Sequence, residues 1–153
     1  MLSDKQIKEI REAIEKAENP LFFFDDDIDG LCSYILFHQK YPKGKGVVIK
    51  STPVLDMQNH RRIGEYSPDL VVVLDKPMIS QEFVDKTNVP IIWIDHHTPI
   101  KMEGVRYYNP RVEKPDIYLP TSYLAYQVTK GQMWIAFLGC IGDAHLPDFT
   151  EEF

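Results

Sequence analysis

The chain has 153 residues, 44% of them hydrophobic, which suits one domain with its own core. No apolar run approaches the roughly 20 residues of a membrane-spanning helix, and the charged, amphipathic N-terminus is not a signal peptide. A net charge of −6 argues against a surface that grips nucleic acid all over, though not against a metal-dependent nuclease.

Ser3–Ala17 reads as a helix. Ser3 and Gln6 make a capping box, and Ile7, Ile10, Ala13, Ile14 and Ala17 share one face. Asn19-Pro20 stops it. Leu21–Phe24 is a continuous apolar run, as in a strand buried on both faces. Gly30 opens a second helix, to about Lys40. Pro42–Gly46 is a turn, and Gly46–Lys50 a second strand. Ser51–Ser67 carries no clear period; a short helix over Asn59–Glu65 is expected there. Leu70–Leu74 is a third strand, Ser80–Thr87 a short helix, Pro90–Ile94 a fourth strand and Val105–Tyr108 a fifth, at an edge. Asn109–Pro120 is loop. Two helices follow, at Thr121–Thr129 and Gln132–Ile141. The second is apolar nearly all round and is expected to be buried. Strands alternating with helices predict an α/β fold, a mostly parallel five-stranded sheet between helical layers. Cys32 and Cys140 sit in apolar contexts without CxxC spacing, as buried, reduced thiols of a cytoplasmic protein do.

Three strands run into an aspartate: Asp25, Asp75 and Asp95. Parallel sheets bind ligands at the carboxyl ends of their strands, so these carboxylates converge on one place. The first belongs to Asp25-Asp26-Asp27-Ile28-Asp29-Gly30. Such packed carboxylates repel one another without a cation. Asp25, Asp27 and Asp29 can turn inward together, and hard oxygen ligands suit Mg²⁺ or Mn²⁺. The run also opens like an EF-hand loop, but the twelfth position is Leu36 rather than Glu. It fits the start of a haloacid-dehalogenase-type phosphatase less well, because Leu31 stands where Thr is expected and the histidines go unused. Asp95-His96-His97 adds imidazole, which favours Mn²⁺ over Mg²⁺. Neighbours leaving a strand point apart, so one histidine can ligate while the other faces substrate, and Asp95 can fix a ring tautomer. Asp143, flanked by small residues after the last helix, is the remaining candidate. Five candidate ligand aspartates leave one negative charge over against two divalent ions.

In chain order Asp25-Asp26-Asp27-Ile28-Asp29-Gly30, Asp75, Asp95-His96-His97 and Asp143 resemble the four motifs of the DHH phosphoesterase superfamily. An aspartate at the head of the first motif resembles RecJ-type single-strand nucleases; other branches, including family II pyrophosphatases, begin it with histidine. The stretch from Gly139 to Phe149 looks like archaeal RecJ-like proteins. The resemblance implies a DHH catalytic domain over 1–153 and a two-metal site. Asp25, Asp27 and Asp75 would hold one Mn²⁺, and Asp29, Asp75, His96 and Asp143 the other, with Asp75 bridging and Mg²⁺ a possible replacement. Asp75, Asp95, His96 and His97 would be catalytic, His97 at the scissile phosphate. Ser33 and Thr98 are nearby hydroxyls for phosphate.

The implied activity is hydrolysis of phosphodiesters in single-stranded nucleic acid or short oligonucleotides by metal-activated water, in DNA repair or replication. The same chemistry on a cyclic dinucleotide, nucleotide or pyrophosphate is one alternative. A replication scaffold is another. Family nucleases carry a second, C-terminal substrate-binding lobe, expected here to be absent from the chain; a shortened protein, one half of a split protein with a separate partner lobe, and a member repurposed for binding are the alternatives. Lys43, Lys45, Lys50, Arg61, Arg62 and Arg111 offer a path for phosphates.

Overall fold

Ser3 opens the first helix as the sequence predicts. In this computed structural model, which describes residues 1–152, its hydroxyl accepts from Gln6 N at 3.2 Å and Gln6 Oε1 accepts from Ser3 N at 2.9 Å. Phe153, at the end of the expected unit, lies outside the described residues. The elements run α1 (Asp4–Lys16), β1 (Pro20–Asp25), α2 (Ile28–Lys40), β2 (Lys45–Ile49), β3 (Val54–Leu55), α3 (Met57–Tyr66), β4 (Leu70–Leu74), β5 (Met78–Ile79), α4 (Gln81–Lys86), β6 (Ile91–Ile94), β7 (Arg106–Tyr108), α5 (Thr121–Thr129) and α6 (Met133–Gly142).

Five strands form one parallel sheet in the order β2-β1-β4-β6-β7. Its central strands are apolar at every position because both faces are covered. Side chains alternate between two cores. Phe22, Phe24, Val72, Leu74, Ile92 and Ile94 face α1, α2, α5 and α6. Leu21, Phe23, Val71, Val73, Ile91 and Trp93 face α3, α4 and the loop before β7. The chain leaves β1 to one side for β2 and later returns to its other side for β4. The switch point between β1 and β4 therefore lies where Asp25 and Asp75 emerge, the usual position of a ligand crevice.

Three local expectations change. α2 starts at Ile28 rather than Gly30, because the Asp27 carboxylate caps it by accepting from Gly30 N at 2.8 Å. Gly30 is needed for a different reason: a Cβ there would stand 2.5 Å from the backbone oxygen of Asp25. β3 and β5 pair as a separate two-residue ribbon, too short to leave a period in the sequence. The expected full burial of α6 is wrong. Ile135, Ala136, Gly139 and Cys140 are buried, but Trp134, Leu138 and Ile141 are exposed, because no element among the described residues covers that side. Cys32 and Cys140 are buried free thiols. Among the described residues no helix is long and apolar enough to cross a membrane.

Candidate metal centre

Asp25 leaves the end of β1, Asp27 caps α2, and Asp29 sits in that helix's first turn. Asp26, Asp27 and Ile28 are all exposed, so burial does not alternate along the run, although the Asp27 carboxylate still lies close to those of Asp25 and Asp75. Asp29 is fully buried. Its two carboxylate oxygens accept from the backbone N–H groups of Thr121 at 2.7 Å and Ser122 at 2.8 Å, which satisfies the first turn of α5.

Asp75 follows β4 with φ of 60°, a left-handed conformation that costs a non-glycine residue about 1 kcal/mol or more. That turn aims a buried carboxylate at the same point, where Thr121 Oγ1 donates to it at 3.0 Å. His96 follows β6 and is buried. Its Nε2 stands 3.3 Å from Asp75 Oδ1, 3.2 Å from Asp143 Oδ2 and 3.8 Å from Asp29 Oδ2. Asp143 arrives as the C-cap of α6, so it is both a helix-terminal residue and a member of the cluster. The ligand-type atoms of Asp25, Asp27 and Asp75 lie within 4.8 Å of one another; so do those of Asp29, His96 and Asp143, and those of Asp75, His96 and His97.

The donor set fits divalent ions. Burial first, then the neighbouring carboxylates of Asp29, Asp27 and Asp95, holds the Asp75 carboxyl well above its ordinary range. Burial likewise pushes Asp29 up to about 7, and Asp25 is raised. Anions this close await a cation. Burial, and then His97, lowers the pKa of His96, which keeps its imidazole neutral with a lone pair to donate.

His97 is placed differently. Its Nδ1 is 2.7 Å from Asp95 Oδ1, its backbone N–H donates to Asp95 Oδ2 at 3.0 Å, and its side chain is 39% exposed. The hydrogen bond to Asp95 raises the His97 pKa. Asp95 thus orients the outward histidine and not the buried one.

Several partners lay beyond sequence reasoning. Lys76 is fully buried; its ammonium is bonded to Asp25 and to the Thr52 carbonyl. It supplies the counter-charge that five carboxylates lack against two divalent ions. The Tyr118 hydroxyl donates to Asp143 Oδ2 at 2.8 Å, and its ring stands edge-on to His96 at 5.3 Å. Asn109 Nδ2 donates to the His97 carbonyl at 2.9 Å. A lysine directly after the second acidic strand end, Asp75, was the one visible signal among these. Of the two expected hydroxyls, Thr98 is exposed beside His97. Ser33 is fully buried and donates to the Asp29 carbonyl at 2.7 Å, within its own helix, so it is withdrawn from any phosphate.

Residues 21–142 match the N-terminal domain of the DHH family. No curated protein sequence matches the chain. Its fold is shared with solved structures. Exonuclease RecJ bound to manganese superposes with a TM-score of 0.70 at 17% identity, over 94% of this chain and 44% of that one. RecJ from Thermus thermophilus in complex with Mn²⁺ gives 0.68 at 15%, over 97% and 23%. An exopolyphosphatase-related protein from Bacteroides fragilis gives 0.59 at 14%, over 95% and 53%. The chain therefore spans about half or less of the length of each. With four fifths of its length inside the family match and the sheet, switch point and acidic cluster in place, the chain belongs to the DHH family.

Proposed function

We propose that the chain is the catalytic lobe of a Mn²⁺-dependent phosphodiester hydrolase, an exonuclease of RecJ type acting on single-stranded nucleic acid or short oligonucleotides. The observation that carries this reading is the convergence of Asp25, Asp27, Asp29, Asp75, His96 and Asp143 at one switch point. Asp25, Asp27 and Asp75 would hold one ion, and Asp29, Asp75, His96 and Asp143 the other. Two bound divalent ions would supply an activated water and charge stabilisation for the leaving oxygen.

The chain's own residues do the rest. Thr121 and the helical N–H groups lock Asp75 and Asp29 in position, so the ligand carboxylates are preorganised. Lys76 holds Asp25 and offsets excess negative charge. His97, kept basic by Asp95, presents its free ring nitrogen to a phosphate oxygen as a hydrogen-bond donor. The reading needs no covalent nucleophile from a side chain, because water is the attacking group. We further propose that a second lobe contributes substrate binding, which the greater length of the similar structures supports. Free buried thiols support a cytoplasmic setting.

Hydrolysis of a small phosphoester or polyphosphate is the second reading, favoured by the likeness to an exopolyphosphatase-related protein. The test is a Mn²⁺-supplemented assay on end-labelled single strands, with a cyclic dinucleotide and pyrophosphate in parallel and Asp75→Ala and His96→Ala as controls. Metal-dependent shortening of the strand, lost in both variants, is expected. Cleavage of only the small substrates would replace the nuclease reading with the second one. Activity surviving both substitutions would overturn the ligand assignment.

A further inference from the structure

The expected basic residues do not act together. Lys43 Nζ donates to the Glu15 and Ala17 carbonyls at the end of α1, and Arg111 Nε donates to the Pro115 carbonyl. Lys50, Arg61 and Arg62, by contrast, line one groove of about 580 Å³ between β2 and α3. β2 is an edge strand with a neighbour on one side only, so its outer backbone groups are unpaired. Gln58 and Asn59 add amide donors and acceptors to the same groove, and Tyr66 adds a half-buried ring. Glu65 holds Arg62 at 2.7 Å. Lys50 and Arg61 are exposed and have no ion-pair partner among the described residues.

The groove leads to the acidic cluster. Ile49, in its wall, is the register partner of Asp25. Thr52, at the same end, accepts the Lys76 ammonium through its carbonyl, and Lys76 holds Asp25. A strand lying along β2 would therefore arrive beside the first candidate ion. Five strand residues rise about 16 Å, which is room for a few nucleotides.

We propose that the groove between β2 and α3 binds the backbone of a single-stranded nucleic acid and guides it to the candidate metal centre. This rests on the phosphodiesterase reading above. Unpaired cations neutralise phosphates, and free main-chain and amide groups contact phosphate, sugar and base edges. An inorganic polyphosphate shares the charge and can accept from amide N–H groups, but it has no donor for the amide and main-chain carbonyls and no base for the ring of Tyr66.

The experiment measures anisotropy of a fluorescent oligothymidylate over a salt series, with Ca²⁺ present to neutralise the carboxylates. It compares the wild type with Lys50→Ala/Arg61→Ala and with Lys50→Glu/Arg61→Glu. Loss of two phosphate contacts should weaken binding roughly 10-fold and flatten the slope of log K against log salt by about 1.4. The glutamate pair should bind more weakly still. Both side chains are exposed, so unchanged melting curves are expected and confirm folding. Unaltered affinity and slope in a wild-type background that cleaves would overturn the groove alone. Binding lost in the variants, from a wild type that cleaves nothing, would keep the groove and overturn the hydrolase. Equal affinity for an inorganic polyphosphate of the same charge, equally lost in the variants, would overturn the assignment to nucleic acid.

Discussion

Replacing Lys76 by Met removes a fully buried ammonium while keeping a similar volume. Its partner Asp25 has a side chain 23% exposed. Breaking a fully buried pair from one side costs about 3–5 kcal/mol. Water can reach part of Asp25, so about 2–3 kcal/mol is the expected loss here. At about 2–4 °C per kcal/mol for a domain of this size, the metal-free protein should melt roughly 4–12 °C lower. Bound metal changes the outcome. Without the lysine, the same carboxylates face two divalent ions with one less competing cation, so Mn²⁺ should bind more tightly and restore much of the lost stability. The assay is thermal denaturation by circular dichroism, in chelator and in saturating Mn²⁺, on both proteins. A deficit of equal size in both conditions would refute the charge argument. A metal-free loss below about 1 kcal/mol would refute the pairing itself.

The carboxylates also dictate a pH response. Asp29 titrates at about 7 in the folded state against an ordinary 3.8, and Asp75 is raised too. Folded protein therefore holds more protons than unfolded protein between those values, so metal-free stability falls as pH rises from about 4 to about 7. Mn²⁺ displaces those protons, and the melting-temperature gain on adding Mn²⁺ should grow across the same window; a flat gain would contradict the carboxylate assignment. Asp95→Asn should lower activity roughly 10–100-fold and bring the alkaline limb of the pH–rate profile to lower pH, because His97 loses the partner that raises its pKa. Mn²⁺ affinity, read by isothermal titration, should hold; a parallel loss would show that Asp95 serves the ligand His96.

The sheet was legible because both its faces are covered. Apolar runs such as Leu70–Leu74 then stand out without any need for alternation. The acidic strand ends were legible for the same reason, since a carboxylate after four or five buried residues has few structural uses. What stayed hidden depends on contacts across the fold. Thr121 lies 92 positions after Asp29 in the sequence, and nothing local marks Thr121 and Ser122 as its donors. Lys76 reads as an ordinary charged residue after a strand until the fold buries it against Asp25. α6 misled because its composition is apolar on every side, whereas burial depends on what packs against it, and among the described residues Trp134, Leu138 and Ile141 on its outer side stay exposed. Ser33 has the right chemistry, but it is buried and its hydroxyl is taken up by the Asp29 carbonyl.

Asp29 is claimed twice over, by the helix whose N–H groups it accepts and by the centre it helps to form. The candidate ligands begin at Asp25 and end at Asp143, so no fragment that stops before α6 holds them all. During synthesis the acidic run emerges first; Thr121 of α5 follows Asp29 by 92 positions and Asp143 follows by more than a hundred before both can close around it. Assembly of the candidate centre is thus a late event in the life of the chain, and a single cut anywhere between Asp25 and Asp143 divides the candidate ligands between two fragments.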